Sequence, residues 1–100
     1  MKTSIEELEG MIVATLEGEL DTAAAIEVEK ELKPLFESEG RDIVIECEKL
    51  EYIASSGLRI LLGILKSAKA CGGKVTLRHL NDDIRNVFQL TGLISLFDVE

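Results

Sequence analysis

The feature that most constrains the fold is the alternation of short, β-branched apolar runs with longer stretches whose apolar residues recur every three or four positions. The run Ile43-Val44-Ile45 contains no polar residue, which is typical of a central strand buried on both faces of a sheet. Apolar residues in the stretch 58–68 have the spacing of an amphipathic helix. The alternation predicts an α/β fold with helices packed against a mostly mixed sheet of about four strands.

Four runs are predicted as strands and three stretches as helices. The strands are residues 5–8, 11–16, 43–45 and 74–77, and residues 50–53 lead into the second helix. The helices begin at Asp21, at the serine pair 55–56 and at Asn81. Pro34 is expected to kink the first helix or to split off its last turn, because its ring clashes with the carbonyl four residues earlier. The predicted inner faces of the second and third helices consist of Leu58, Leu61, Leu62, Leu65, Ala68, Ile84, Val87 and Phe88. Residues 93–99 form a short apolar tail.

The composition fits one domain of residues 1–100 and excludes several functions. A chain of 100 residues with 46% hydrophobic content is long enough to bury one core. The formal charge of −8, from 19 acidic and 11 basic residues, argues against nucleic acid and against an anionic membrane surface, since both attract Lys and Arg. No apolar run approaches the roughly 20 residues of a membrane span, and the N-terminus lacks the apolar segment of a signal peptide.

The cysteines and the histidine give no sign of a metal or cofactor. Cys47 and Cys71 have no metal-binding spacing, and we interpret them as reduced thiols of a cytoplasmic protein. His79 is the only histidine and has no cysteine or acid at ligand spacing. We therefore expect no metal site and no cofactor.

The stretch Ser55-Ser56-Gly57, between a strand and a very apolar helix, has two interpretations. Either serine can cap the helix by accepting a hydrogen bond from one of its free N–H groups. The same helix start also favours a phosphoserine, because its N–H groups and dipole stabilise negative charge. Gly57 costs the helix about 1 kcal/mol relative to alanine, which suggests that another backbone approaches it closely.

The outward side of this second helix is a candidate docking surface. Ser55 or Ser56, Arg59, Gly63 and Lys66 are spaced three and four residues apart, so they share one helix face. The alternative interpretation is that these residues form an ordinary solvent-exposed helix face that binds no partner.

Several stretches of the sequence resemble one known family. "YIASSGLRILL", preceded by "DIVIECEKLE", resembles the signature of the STAS domain, the sulphate transporter and anti-sigma factor antagonist family. "LEGELDTAAA" resembles a second stretch of that family, a strand that leads into the first helix, and "LRHLNDDIRNVFQLTGLISLFDV" resembles its last strand, third helix and tail. Within the family, the chain is most similar to the stand-alone bacterial anti-sigma factor antagonists.

The resemblance implies a partner, a switch and the residues that carry them. Such proteins bind an anti-sigma factor that is also a serine kinase, and so release a sigma factor. Phosphorylation of the serine at the helix start dissociates the complex, and a phosphatase restores it. That serine matches Ser55. The further partner-binding residues implied are Glu19, Asp21, Ser56 and Gly57, beside the helix face of Arg59, Gly63 and Lys66. The chain has Ala54 and Glu46 where the family usually has Asp.

Two other functions remain as alternatives. One is a different STAS role, as a small cytoplasmic subunit that binds the ATPase of a lipid-transport complex. The other is an enzyme with Ser55 as nucleophile, which needs an adjacent base. Because His79 is the only histidine and the Gly-x-Ser-x-Gly elbow is absent, we do not expect catalysis.

Overall fold

A computed structural model describes all residues, Met1–Glu100, as a mixed sheet with helices packed on it. The six strands are β1 (Lys2–Leu8), β2 (Met11–Leu20), β3 (Ile43–Glu46), β4 (Leu50–Ile53), β5 (Val75–Arg78) and β6 (Asp98–Val99). The helices are α1 (Thr22–Glu31), α2 (Lys33–Phe36), α3 (Ser55–Ala70) and α4 (Asp82–Leu90), with a 3-10 turn at Leu93–Ser95. The predicted α/β class is confirmed, but the predicted number of strands is too small, because β4 and β6 also join the sheet.

The sheet has one antiparallel pair, and its other pairs are parallel. Its order is β1-β2-β3-β5-β6, and β4 pairs with the far end of β2. The β1–β2 hairpin turns through Glu9 and Gly10, both with positive φ, at 50° and 81°. Ile43, Val44 and Ile45 in the middle of the sheet are all buried, as their uninterrupted apolar run predicts.

Strand β2 is longer than its sequence pattern suggests, and its extra length positions the functional region. Its first half pairs with β3, and its second half pairs with β4 after a register shift between Gly18 and Glu19. Gly18 has a φ of 100°, a conformation that glycine adopts without a steric cost and that allows the irregularity. The strand therefore continues to Leu20, whose carbonyl accepts a hydrogen bond of 2.9 Å from the N–H of Ala54.

The first helical region divides at Pro34, as predicted. Helix α1 ends at Glu31, and the short α2 starts at Lys33 with Pro34 in its first turn, where a missing N–H costs nothing. Asp21 caps α1, as predicted, because its Oδ1 accepts a hydrogen bond of 2.8 Å from the N–H of Ala24. Helices α1, α2 and α3 pack against one another, whereas α4 packs against β4 and the 3-10 turn.

The core is one cluster in which α3 is the most deeply embedded helix. Its buried positions are Gly57, Leu58, Ile60, Leu61, Ile64, Leu65 and Ala68. Leu62, predicted to be buried, is only partly so, and Ile60 and Ile64 are buried instead. Likewise Ile84 and Phe88 of α4 are buried, while Val87 is half-buried. Phe88 packs edge-on against Phe97, with ring centres 5.8 Å apart, and so ties the C-terminal tail to the core.

None of the helices is both long enough and apolar enough to cross a membrane.

Candidate functional site

The start of α3 presents Ser55 to solvent, directly after a residue that is hydrogen-bonded to strand β2. Ser55 is the first residue of the helix and is exposed. Ala54 just before it is held between two elements: its N–H donates to the Leu20 carbonyl at 2.9 Å, and its own carbonyl accepts from the N–H of Leu58 at 3.0 Å. The position of Ser55 is thus set by the end of β2.

Neither serine caps the helix, so this prediction is wrong. The capping position is taken by Ala54, with extended backbone angles, and no side chain accepts a hydrogen bond from the free N–H groups of the first turn. Ser55 and Ser56 lie one and two residues too late in the chain to act as the cap. The hydroxyl of Ser55 therefore has no structural role in starting the helix.

Ser56 lies beside Ser55 in a different environment. Ser56 as a whole is half-buried, and its Oγ atom is fully buried and has no hydrogen-bond partner in the chain. A buried hydroxyl that forms no hydrogen bond costs stability. Of the two serines, only Ser55 presents an accessible hydroxyl.

Gly57 is required by internal packing. It is buried, and a Cβ built on it would lie 2.7 Å from Cγ of Leu20 and 2.9 Å from Cγ1 of Ile53. The expected close approach exists, but it comes from side chains of β2 and β4 and not from another backbone. Gly57 is buried in the free protein, and its predicted place among the partner-binding residues stays a prediction.

The α3 face defined by spacing is only partly open. Arg59 and Lys66 are exposed and form no ion pair within the chain. Gly63 is half-buried, and a Cβ on it would lie 3.1 Å from Cε1 of Phe36 in α2. The predicted face therefore divides into an open part around Arg59, a part at Gly63 that α2 covers, and the exposed Lys66.

A groove between α1 and α3 lies next to Ser55 and was not predicted from the sequence. Its lining residues are Thr22, Ala25, Ile26, Glu29, Ser56, Arg59 and Ile60. Ile26 is 65% exposed, although it is large and apolar. The available signal was an isoleucine outside the stripe that places Ala25 and Val28 in the core. Glu19 and Asp21, at the end of β2, are also exposed.

A second cluster surrounds Glu46 at the end of β3. Its Oε2 accepts a hydrogen bond of 2.6 Å from Nε of Arg78, and its Oε1 lies 2.8 Å from Nδ1 of His79. Burial acts to raise the pKa of Glu46, but hydrogen bonds from Arg78, His79 and the N–H of Glu48 together hold the pKa below its ordinary value of 4.5.

The isolated position predicted for His79 is wrong. The sheet brings β3 beside β5, so ligand atoms of Glu46, Glu48 and His79 lie within 4.8 Å of one another. These three are the residues that could hold a cation. Arg78, however, already supplies a positive charge to the Glu46 carboxylate, and this network explains the cluster as a link between strands.

The two cysteines are free thiols in different surroundings. Cys71 is exposed and Cys47 is buried. Burial, together with the charge of Glu46, raises the pKa of the Cys47 thiol to about 12. Cys47 is thus protonated and unreactive at neutral pH.

Comparison with known proteins identifies the family. The sequence matches the STAS domain over residues 2–100, so the chain belongs to the STAS domain family. BtrV of Bordetella bronchiseptica, named as a candidate anti-sigma factor antagonist, is 33% identical over 99 residues, which are 99% of this chain and 85% of that protein. The anti-sigma-B factor antagonist of Bacillus subtilis is 29% identical over 99% of this chain and 90% of its own length.

A solved structure extends the likeness to the fold. The Bacillus cell fate determinant SpoIIAA in its phosphorylated form superimposes with a TM-score of 0.75 at 25% identity, covering 99% of this chain and 91% of that chain. The STAS fold expected from the signature around Ser55 is therefore confirmed.

Proposed function

We infer that this protein is an anti-sigma factor antagonist, which binds an anti-sigma factor through the start of α3 and the groove between α1 and α3. The observation that carries the proposal is the exposed Ser55, which has no structural role in the helix and lies next to a groove with an exposed isoleucine, Ile26. What distinguishes Ile26 from other exposed apolar residues is its place in a groove with polar neighbours, since protein interfaces combine an apolar centre with a polar rim. The names of the relatives point to the same partner class.

In this proposal the partner-binding surface is smaller than the sequence suggests. It consists of Glu19, Asp21, Ser55, Ser56 and Arg59 with the groove, and Lys66 lies at its outer end. Gly57 and Gly63 are not part of this surface. Their lack of a side chain allows Leu20 to pack against Gly57 and Phe36 to pack against Gly63.

Phosphorylation of Ser55 is proposed as the switch. A phosphate adds about −1.5 to −2 charges at neutral pH. On the free protein this charge faces water and the positive end of the helix dipole, so the fold is retained. In the complex the same charge loses its water against a surface that binds a neutral hydroxyl, and this loss of solvation costs several kcal/mol. The existence of a phosphorylated form of SpoIIAA supports the proposal.

The proposal also includes the kinase and the phosphatase that act on Ser55 and the cell compartment in which they act. The anti-sigma factor is itself the serine kinase, a phosphatase reverses the reaction, and the proteins meet in the cytoplasm. The chain acts by binding and not by catalysis, since its one histidine, His79, is hydrogen-bonded to Glu46 and no base is positioned to activate Ser55.

One observation favours a second candidate function. Ala54 replaces the acid that the family usually carries before the serine, and the helix start has no side-chain cap. A STAS subunit that binds a transporter ATPase without being phosphorylated needs no such acid. In that role the same groove binds the ATPase.

The test is phosphorylation by a candidate anti-sigma factor kinase from the same cell. Wild type, Ser55→Ala and Ser56→Ala are incubated with the kinase and ATP, and the peptide containing both serines is analysed by mass spectrometry. We expect phosphate on wild type and on Ser56→Ala only. Phosphate on Ser56 alone, or binding of a transporter ATPase with no phosphorylation by an active kinase, would overturn the proposal.

A further inference from the structure

Arg59 is the one basic side chain that lies a single helical turn after Ser55. The two residues are four apart in α3, and both are exposed. In a helix, side chains four residues apart are neighbours, and the Cα–Cβ bonds tilt toward the N-terminus. The Arg59 side chain therefore extends in the direction of Ser55.

The guanidinium of Arg59 has no partner of its own. It takes part in no ion pair or side-chain hydrogen bond within the chain, whereas Arg41 and Arg78 are each paired with a glutamate. The acidic residue that shares the groove with it is Glu29 of α1, and the two do not form an ion pair. Arg59 is thus free to pair with a new negative charge.

We propose that Arg59 binds the phosphate of phosphoserine 55, and that this ion pair is a built-in stabiliser of the phosphorylated free protein. The inference rests on the proposed function, because it takes Ser55 as the modified residue. The order of the two charges along the helix is also favourable, because an anion four residues before a cation is the better orientation of such a pair. Arginine suits phosphate through paired N–H donors.

The pair has a consequence for the switch. Before modification, the positive charge of Arg59 is part of the surface beside the groove. After modification it is bound to the phosphate of its own helix. One phosphate thus adds negative charge to the surface and also withdraws the positive charge that the surface presents.

The ion pair is tested on protein with phosphoserine incorporated at position 55 during translation, so that no kinase is needed. The second ionisation of the phosphate is followed by phosphorus NMR across pH 4 to 8 in wild type and in Arg59→Gln, with Arg59→Lys and Lys66→Gln alongside. Because the pair favours the dianion, we expect a phosphate pKa lower by about 0.3 to 0.6 pH unit in wild type than in Arg59→Gln. Arg59→Lys should keep part of the shift.

The Lys66→Gln variant is the matched control, since it removes the same charge from the same helix but eleven positions after Ser55. Its phosphate should titrate as in wild type, because a distant exposed charge is screened by salt. Equal phosphate pKa values in wild type and Arg59→Gln would overturn the proposal, as would an equal shift in Lys66→Gln. If a kinase phosphorylates Ser55 but the phosphate titration curves of wild type and Arg59→Gln coincide, only the proposed ion pair between Arg59 and the phosphate is wrong. If the shift is present but no kinase labels Ser55, only the proposed function fails.

Discussion

Gly57 of α3 and Leu20 of β2 are packed so closely that a Cβ on Gly57 would lie 2.7 Å from Cγ of Leu20. The contact joins the start of the helix to the end of the strand whose carbonyl also binds the N–H of Ala54. The position of Ser55 is therefore set by internal packing, whatever the partner contributes.

Gly57→Ala should destabilise the fold although alanine is the better helix former. Helix propensity favours the change by about 1 kcal/mol, but both Leu20 and Ile53 would have to move, and overpacking of a core costs about 1–3 kcal/mol or more. We expect a net loss of about 1–2 kcal/mol in the free energy of unfolding, measured by urea denaturation. Gly63→Ala is the matched control, because its Cβ meets only the edge of the Phe36 ring at 3.1 Å. A larger loss at Gly63 than at Gly57 would contradict this account.

Glu46 should make stability fall in acid. Because its pKa is lowered in the folded protein from an ordinary 4.5, the unfolded chain binds more protons around that pH. The stability that Glu46 contributes is therefore fully present above about pH 4.5 and is lost as pH falls through the lower folded pKa. Glu46→Gln should cost about 1–3 kcal/mol at neutral pH, because hydrogen bonds to a charged group are lost, and should flatten this acid dependence. Glu27→Gln, at an exposed position without an ion pair, should leave the pH profile of the unfolding free energy as in wild type.

Ile26 should contribute to partner binding without contributing to the fold. Its side chain is 65% exposed on the groove beside Ser55, so Ile26→Ser should change the melting temperature little. Loss of a well-placed apolar contact costs about 1–2 kcal/mol of binding, or roughly five- to thirty-fold in affinity. Titration calorimetry against the anti-sigma factor measures it. Leu90→Ser, at an 80% exposed leucine on α4, should bind as wild type does. Equal losses for the two variants would mean that the groove is not the docking surface.

Ser55→Asp should reproduce part of the proposed switch. A carboxylate carries less charge than a phosphate, so we expect roughly tenfold weaker binding to the anti-sigma factor, against about a hundredfold for phosphoserine if the penalty is about 3 kcal/mol. Ser55→Ala should bind normally and resist the kinase. Since Ser55 does not cap the helix, both variants should melt close to wild type. Undiminished binding by Ser55→Asp would favour the transporter-subunit function.

The two thiols should differ sharply in reactivity. At pH 8 an alkylating reagent should label the exposed Cys71 within minutes and leave Cys47 unmodified, because Cys47 is buried and its pKa is about 12. Mass spectrometry after timed quenching distinguishes the two peptides, and Cys47 should react only in denaturant. Equal labelling rates in the native protein would show that Cys47 is accessible.

Local features of the fold were predictable from the sequence, whereas contacts between distant segments were not. The cap at Asp21 and the break at Pro34 depend on a few neighbouring residues, so spacing and residue type predict them. Strand β4 was not predicted because its pairing depends on the register shift at Gly18.

The same distinction between local sequence and distant contacts explains which parts of the candidate site could be predicted. The local strand–serine–glycine–helix sequence directed attention to the serine pair, and only the family resemblance pointed to Ser55, whose role stays a prediction. The role of Gly57 depends on Leu20, and the surroundings of His79 depend on Glu46, each more than 30 residues away in the chain. Such pairs become neighbours only through the sheet. Ile26 became part of a groove for the same reason, since α3 forms the other wall.

The single antiparallel hairpin in a mostly parallel sheet also has a consequence for the order of folding. Strands β1 and β2 are joined by a tight turn and can pair within microseconds, whereas parallel pairings must wait for long loops to close. Strand β2 is then the template on which β3 and β4 assemble. Ser55 follows β4 directly, so its surroundings form only when these late pairings are complete. A kinase that recognises this surface would therefore act on the finished protein, and an unfolded or nascent chain would escape it.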